Sequence, residues 1–299
     1  MKSWRRFSKI LSSSFFLGVP ILFNLSTGLA YLKLNPKALG LGYGIMFIVL
    51  TGTAGSGKSN LTLALARWMK DEVGLKISIM NLDPGAEVLP YDPDFDIRNY
   101  FTISEIMKKY GLGPNGAFLK AAELLGVHEK DILKSKPVRG FYDYVLIDTP
   151  GQLEMFMFRP EGTKIMKRLE MVKPVLLVYV VDGALAAHPE DLLTSYLLSL
   201  ILQTKTELQL ITVINKVDLL SDEERERVKK LIETPEQFAE EVADKVGGIA
   251  ADMITDLAQV AEKYSPSARA IMVSAKTLEG MKELYDVIHE IYCSCGDLT

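Results

Sequence analysis

The sequence predicts an α/β fold: a predominantly parallel sheet of about six strands, with helices on both faces and a helical insertion. Three observations carry this. Short apolar runs alternate with amphipathic helical stretches along the chain, the pattern of repeated β-α units. The runs are continuous rather than alternating, as strands covered on both faces are. A turn or polar residue follows each run at its carboxyl end, the edge at which such sheets bind ligands. The composition, 299 residues with 48% hydrophobic and 24% charged, is ordinary for a globular chain able to bury a full core.

Residues 1–45 differ from the rest. They hold six basic residues and no acidic one, leaving 28 basic against 38 acidic residues in the remainder. The basic start and the apolar run from Phe15 to Tyr31 imitate a secretory signal. Pro20 and Asn24 interrupt that run, it is short for a membrane span, and export conflicts with the phosphate-binding loop that follows. The reading adopted is an N-terminal extension outside the fold, with Met46 beginning a functional domain at 46–299; a membrane anchor and a cleaved signal are the alternatives. A net charge of -4 provides no broad basic surface for a nucleic-acid backbone. Cys293 and Cys295 are the two cysteines, too few for a disulfide framework, so a reducing, cytoplasmic setting fits. They and the three histidines lack zinc spacing, although a zinc site between subunits on Cys293 and Cys295 stays open.

The first apolar run, Ile45–Leu50, leads into Gly52-Thr53-Ala54-Gly55-Ser56-Gly57-Lys58-Ser59, a complete G-x-x-x-x-G-K-[ST] pattern. Leu61, Leu65, Trp68 and Met69 then recur at helical spacing, so the loop joins a strand to a helix. The glycines let backbone N–H groups turn inward, and the helix N-terminus adds partial positive charge. That geometry holds phosphate: Lys58 reaches the β- and γ-phosphates and the Ser59 hydroxyl holds Mg²⁺. Further strands are expected at 76–82, 144–148, 174–181, 208–215 and 269–274. Two connections are longer than joining strands requires, 84–143 and about 233–263, and surplus length marks function or partner contact.

The strand ending at Asp148 continues as Asp148-Thr149-Pro150-Gly151-Gln152. A carboxylate there faces the Mg²⁺ on Ser59, directly or through water, and the Gly151 N–H is placed to donate to the γ-phosphate. The strand ending at Asn215 continues as Asn215-Lys216-Val217-Asp218. Guanine presents two donors on one edge, so Asp218 can accept both while adenine offers neither pairing, and an unmet buried carboxylate is costly. Asn215 is expected to brace the loop, and the Lys216 stem to lie along base and sugar. The last strand supplies Ser274-Ala275-Lys276, whose backbone is placed to meet the guanine oxygen.

In this order, the phosphate loop, D-T-P-G-Q, N-K-V-D and S-A-K resemble the GTPases of the P-loop NTPase fold. Asn81-Leu82-Asp83-Pro84-Gly85, the Pro90-to-Arg98 stretch P-Y-D-P-D-F-D-I-R, and Gly113-Pro114-Asn115-Gly116 narrow the resemblance to the GPN-loop GTPases. It runs from about Met46 to the C-terminal residues, and the compact length is similar to archaeal members. Asn60 departs from the Thr usual there, beside the nucleotide-binding loop. The resemblance implies Mg²⁺-dependent conversion of GTP to GDP and phosphate in a homodimer. The loop Gly113, Pro114, Asn115 of one subunit would act on the nucleotide of the other, and the switch would act on a protein partner, with RNA polymerase or its assembly factors as the example from eukaryotic members. An assembly or chaperone factor with little turnover is the competing reading. The catalytic candidates are Lys58, Asp83, Asn115 and Gln152, and the metal candidates Ser59, Asp83 and Asp148. Against these stand plainer roles: Asp83 as a turn-former before Pro84, the G-P-N residues as a helix cap, and Asp96 with Arg98 as an ion pair holding a switch segment.

Overall fold

The computed structural model describes residues 46–264 and 270–297, together with 22–23 and 30–31. It divides into Met1–Gly44 and Ile45–Thr299. In the first unit the described residues form one antiparallel pairing, Leu22 with Tyr31 and Phe23 with Ala30. The expectations about the start at Met46, an anchor or a signal lie outside the described residues, as do the side chains of Cys293 and Cys295.

The second unit is built on one sheet of seven parallel strands. They are β1 (Met46–Gly52), β2 (Ile77–Asn81), β3 (Phe95–Asp96), β4 (Tyr144–Asp148), β5 (Val175–Asp182), β6 (Gln209–Asn215) and β7 (Ala270–Met272). Their spatial order is β3-β2-β4-β1-β5-β6-β7, which puts the strand that feeds the phosphate loop at the centre. The expected count of about six is corrected to seven by β3, which lies inside the long 84–143 connection.

Every residue of β1 is buried, which explains its unbroken apolar run. Successive side chains point to opposite faces, so Phe47 and Val49 enter one core while Met46, Ile48 and Leu50 enter the other. Each such side chain contributes about 1.5–3 kcal/mol by leaving water. The second core is closed by α1 (Lys58–Val73) and α12 (Met281–Asp297), through Leu61, Leu65 and Met69 against Met281, Leu284 and Ile288. The first is closed by the helices of the 84–143 connection and by α7 (Pro160–Glu170), α8 (Pro189–Thr206) and α9 (Asp222–Glu233), with α10 (Pro235–Val246) behind them. The 233–263 surplus is helical as expected, as α10 and α11 (Gly248–Tyr264).

Strand register aligns the carboxyl ends. Leu50 and Asn81 both pair with Asp148, Gly52 pairs with Val180, and Asp182 pairs with Asn215. All four chemistry-bearing loops therefore leave the sheet from one rim.

Candidate nucleotide site

The phosphate loop closes between β1 and α1. Gly57 sits at φ 87, and a Cβ there would fall 2.5 Å from Asn215 Nδ2, so both conformation and space require glycine. Thr53, Ala54 and Gly55 face solvent while Ser56 and Lys58 are buried. Lys58 Nζ donates to the Thr53 carbonyl at 2.9 Å. Burial lowers its pKa, and the charges of Asp148 and Asp83 oppose that shift. Gly151 lies against the same loop: a Cβ on it would be 3.2 Å from Ala54 Cα and 3.4 Å from Lys58 Nζ. The D-T-P-G turn thus meets the phosphate loop as its sequence implied.

The metal side comes from the ends of β4 and β2. Burial raises the pKa of Asp148, against the nearby hydroxyls of Ser59 and Tyr91 and the charge of Lys58. Its Oδ2 accepts from the Tyr91 hydroxyl at 2.6 Å, and its Oδ1 is buried without a hydrogen-bond partner. Asp83 is pushed up to about 6, by burial foremost and with Asp148 adding to it. One buried and one half-buried carboxylate beside a buried lysine leave unbalanced negative charge and an unmet oxygen, and oxygen donors in that state fit Mg²⁺. Among the described residues no three His, Cys, Asp or Glu side chains gather as a metal-binding group. Asp83 is also a turn-former, since its Oδ1 accepts from the Gly85 N–H at 2.8 Å. Behind it, Asn81 Nδ2 donates to Asp96 Oδ1 at 2.9 Å. Arg98 clasps Asp96 at 2.7 Å and donates to the Ala86 carbonyl at 2.9 Å, so the expected Asp96–Arg98 pair forms.

The base side is stitched directly to the phosphate loop. Asn215 Nδ2 donates to the Ser56 carbonyl at 3.0 Å and its Oδ1 accepts from the Ala275 N–H at 3.1 Å. Lys216 takes the left-handed conformation, φ 66, which is uncommon for a residue with a long side chain. Its Nζ donates to the Gly55 carbonyl at 2.7 Å and to Asp182 Oδ2 at 2.6 Å, contacts that hold the strained turn in place. Ser274, fully buried, donates to Asp218 Oδ1 at 2.6 Å and accepts from the N–H groups of Lys276 and Thr277. This fixes one oxygen of the Asp218 carboxylate and draws N-K-V-D, S-A-K and the phosphate loop into one assembly.

Among the described residues, the other candidates make no hydrogen bond to this assembly. Gly113 is the N-cap of α3 (Pro114–Val127), Pro114 its first residue, and Gly111, at φ 63, ends α2 (Ile103–Tyr110). Gly113, Pro114 and Asn115 are exposed, and among the described residues no hydrogen bond engages the Asn115 side chain. Within one chain the loop serves as a helix junction. Gln152 is the half-exposed N-cap of the short helix α6 (Leu153–Phe156), without a side-chain capping bond. Asn60 is exposed on the first turn of α1. Sequence reasoning overlooked three partners: Asp182, the Tyr91 hydroxyl, and the Ser274 side chain. Asp182 carried a readable signal, a carboxylate ending an apolar strand at the rim as Asp148 does.

The fold and rim together define a P-loop nucleoside-triphosphate hydrolase. Comparison with known proteins specifies it. The family model described as "Conserved hypothetical ATP binding protein" matches residues 50–294. A GPN-loop GTPase of Pyrococcus abyssi is 37% identical over 85% of this chain and 100% of its own length. The apo crystal structure of the Pyrococcus abyssi GTPase superposes with a TM-score of 0.76 at 35% identity, covering 85% of this chain and all of that one. GPN-loop GTPase 1 of Dictyostelium discoideum is 30% identical over 81% of this chain, which spans 60% of that longer relative. The chain belongs to the GPN-loop GTPase family and is an enzyme of the P-loop GTPase class.

Proposed function

We propose that the protein binds GTP with Mg²⁺ in the rim cleft and hydrolyses it to GDP and phosphate within a cytoplasmic homodimer, the resulting change acting on a protein partner. The observation that carries this is the set of bonds from Asn215 and Lys216 to the phosphate-loop carbonyls, with Asp218 braced by Ser274. A carboxylate held at a fixed distance from a phosphate cradle measures out one nucleotide, and an acceptor in that place favours guanine over adenine.

Lys58 neutralises the β- and γ-phosphates, leaving the Thr53 carbonyl to do so, and the loop N–H groups hold their oxygens. Ser59 and Asp148 are the residues that would hold Mg²⁺, with Asp83 beside them; the ion supplies charge neutralisation on the phosphates. The Gly151 N–H donates to the γ-phosphate, and Asp83 with Gln152 orients the attacking water. Asn115, exposed and unpartnered at a helix N-terminus, is free to reach the nucleotide of a second copy, adding donors that one chain does not bring to its own site.

A second reading, a nucleotide-dependent assembly factor with little turnover, of the kind that would serve RNA polymerase, is supported by the same exposed loop, which leaves Asn115 open to a partner. Phosphate release from GTP and from ATP, with and without Mg²⁺, separates these. Steady Mg²⁺-dependent release from GTP supports the enzyme reading. Tight GTP binding with negligible release supports the assembly reading, and equal use of ATP overturns the base assignment.

A further inference from the structure

We infer that Tyr91 is a positioning residue for the metal side of the site: its phenol holds the Asp148 carboxylate and ties it to residues 86–99. The inference rests on the reading of Asp148 as the carboxylate facing Mg²⁺. Tyr91 is buried, and its hydroxyl donates to Asp148 Oδ2 at 2.6 Å, a short charge-assisted bond. With Oδ2 taken, Oδ1 remains as the oxygen of that carboxylate without a hydrogen bond. Tyr91 therefore sets which oxygen is offered and in what orientation.

The same residue belongs to a segment fixed to the sheet elsewhere. Asp94 accepts from Ser78 Oγ at 2.6 Å and from the Ile79 N–H. Arg98 grips Asp96 and the carbonyls of Ala86 and Glu87. Between these two clamps the segment forms a surface groove of about 410 Å³, walled by Leu89, Tyr91, Asp92, Pro93 and Arg98. Tyr91 is the wall residue that also reaches the carboxylate. A pull on Asp148 thus moves one wall of the groove, and a change in the groove biases Asp148; such coupling is reciprocal. Neither clamp alone would transmit it, because neither touches Asp148.

The test uses the full chain, a fluorescent non-hydrolysable GTP analogue, and Tyr91→Phe, which keeps the ring and deletes the hydroxyl. Losing one hydrogen bond to a charged group corresponds to about a tenfold change. Tyr91→Phe is expected to need about ten times more Mg²⁺ for half-saturation, with analogue affinity in EDTA changed less than about twofold. Hydrogen exchange of amides 86–99 should respond to Mg²⁺ in the wild type and stop responding in Tyr91→Phe. Ser78→Ala loosens the same segment away from Asp148 and should leave the Mg²⁺ requirement within about twofold. A wild-type Mg²⁺ requirement in Tyr91→Phe, an equal rise in Ser78→Ala, or wild-type exchange at 86–99 indifferent to Mg²⁺ would each overturn the inference. Asp148→Asn separates the two layers. If it loses Mg²⁺ dependence while Tyr91→Phe keeps it, only the role of Tyr91 falls; if it keeps wild-type dependence, the reading of Asp148 falls and takes the inference with it.

Discussion

Asp83 and Lys58 show how the rim is tuned residue by residue. Asp83 has a pKa of about 6 in the folded chain against an ordinary 3.8, so the native state binds this proton more tightly than the unfolded state. The sign follows from linkage: the nucleotide-free protein loses stability from this group as pH rises from about 4 to 6, reaching a penalty of roughly 3 kcal/mol at neutral pH. Asp83→Asn should flatten that slope in chemical-denaturation curves taken across this range; an unchanged slope would show that the carboxylate is not desolvated. Lys58→Ala should weaken GTP binding by far more than tenfold, because it removes the buried cation from the phosphate cradle, and titration with a fluorescent GTP analogue reads this directly. Lys58, Ser59 and Asp148 were legible because their spacing from glycine or from a strand end is itself the signal. The Tyr91 hydroxyl was not, since its partner Asp148 lies 57 positions away and spacing carries no information over such a separation; Asp182 carried the strand-end signal, but its pairing with Lys216, 34 positions away, did not show.

At the level of elements, the GPN loop is decided by what flanks it. Thr102 and Glu105 form a capping box at the start of α2, Gly111 closes that helix, and Pro114 opens α3, so three residues must turn the chain between two well-ended helices. Asn115 lends no side-chain hydrogen bond to this junction. Asn115→Ala is therefore expected to change stability by less than about 0.5 kcal/mol while slowing GTP hydrolysis at least tenfold with little change in GTP affinity. Equal losses in rate and affinity would return the loop to a capping role. The strands were read with nearly their observed bounds except β3, which has no apolar run to announce it. Phe95 and Asp96 sit in an Asp- and Pro-rich stretch, and side chains reinforce their pairing with Met80 and Asn81, through Asp94 on Ser78 and Asp96 on Asn81. A two-residue strand braced in this way leaves no periodic trace.

For the molecule as a whole, parallel register gathers the phosphate loop, the Asp83 and Asp148 turns, N-K-V-D and S-A-K at one rim, while the GPN loop sits at a helix junction rather than at a strand end. The proposed homodimer, with the loop acting in trans, has a direct consequence. Lys58→Ala chains lack phosphate binding and Asn115→Ala chains lack the loop, yet in a mixed dimer the intact loop of the first can serve the intact cradle of the second. Mixing the two variants should restore hydrolysis above either alone, toward roughly a quarter of the wild-type rate if subunits exchange at random; no restoration after exchange would place the loop in cis or out of the reaction. The claim on which everything else depends is that phosphate loop and Asp218 enclose one guanine nucleotide. Equilibrium competition of GTP, xanthosine triphosphate and ATP against the wild type and Asp218→Asn tests it most directly. The expected result is strong GTP preference in the wild type and a shift toward the xanthine nucleotide in the variant; unaltered base preference in Asp218→Asn, or ATP competing as well as GTP in the wild type, would contradict it.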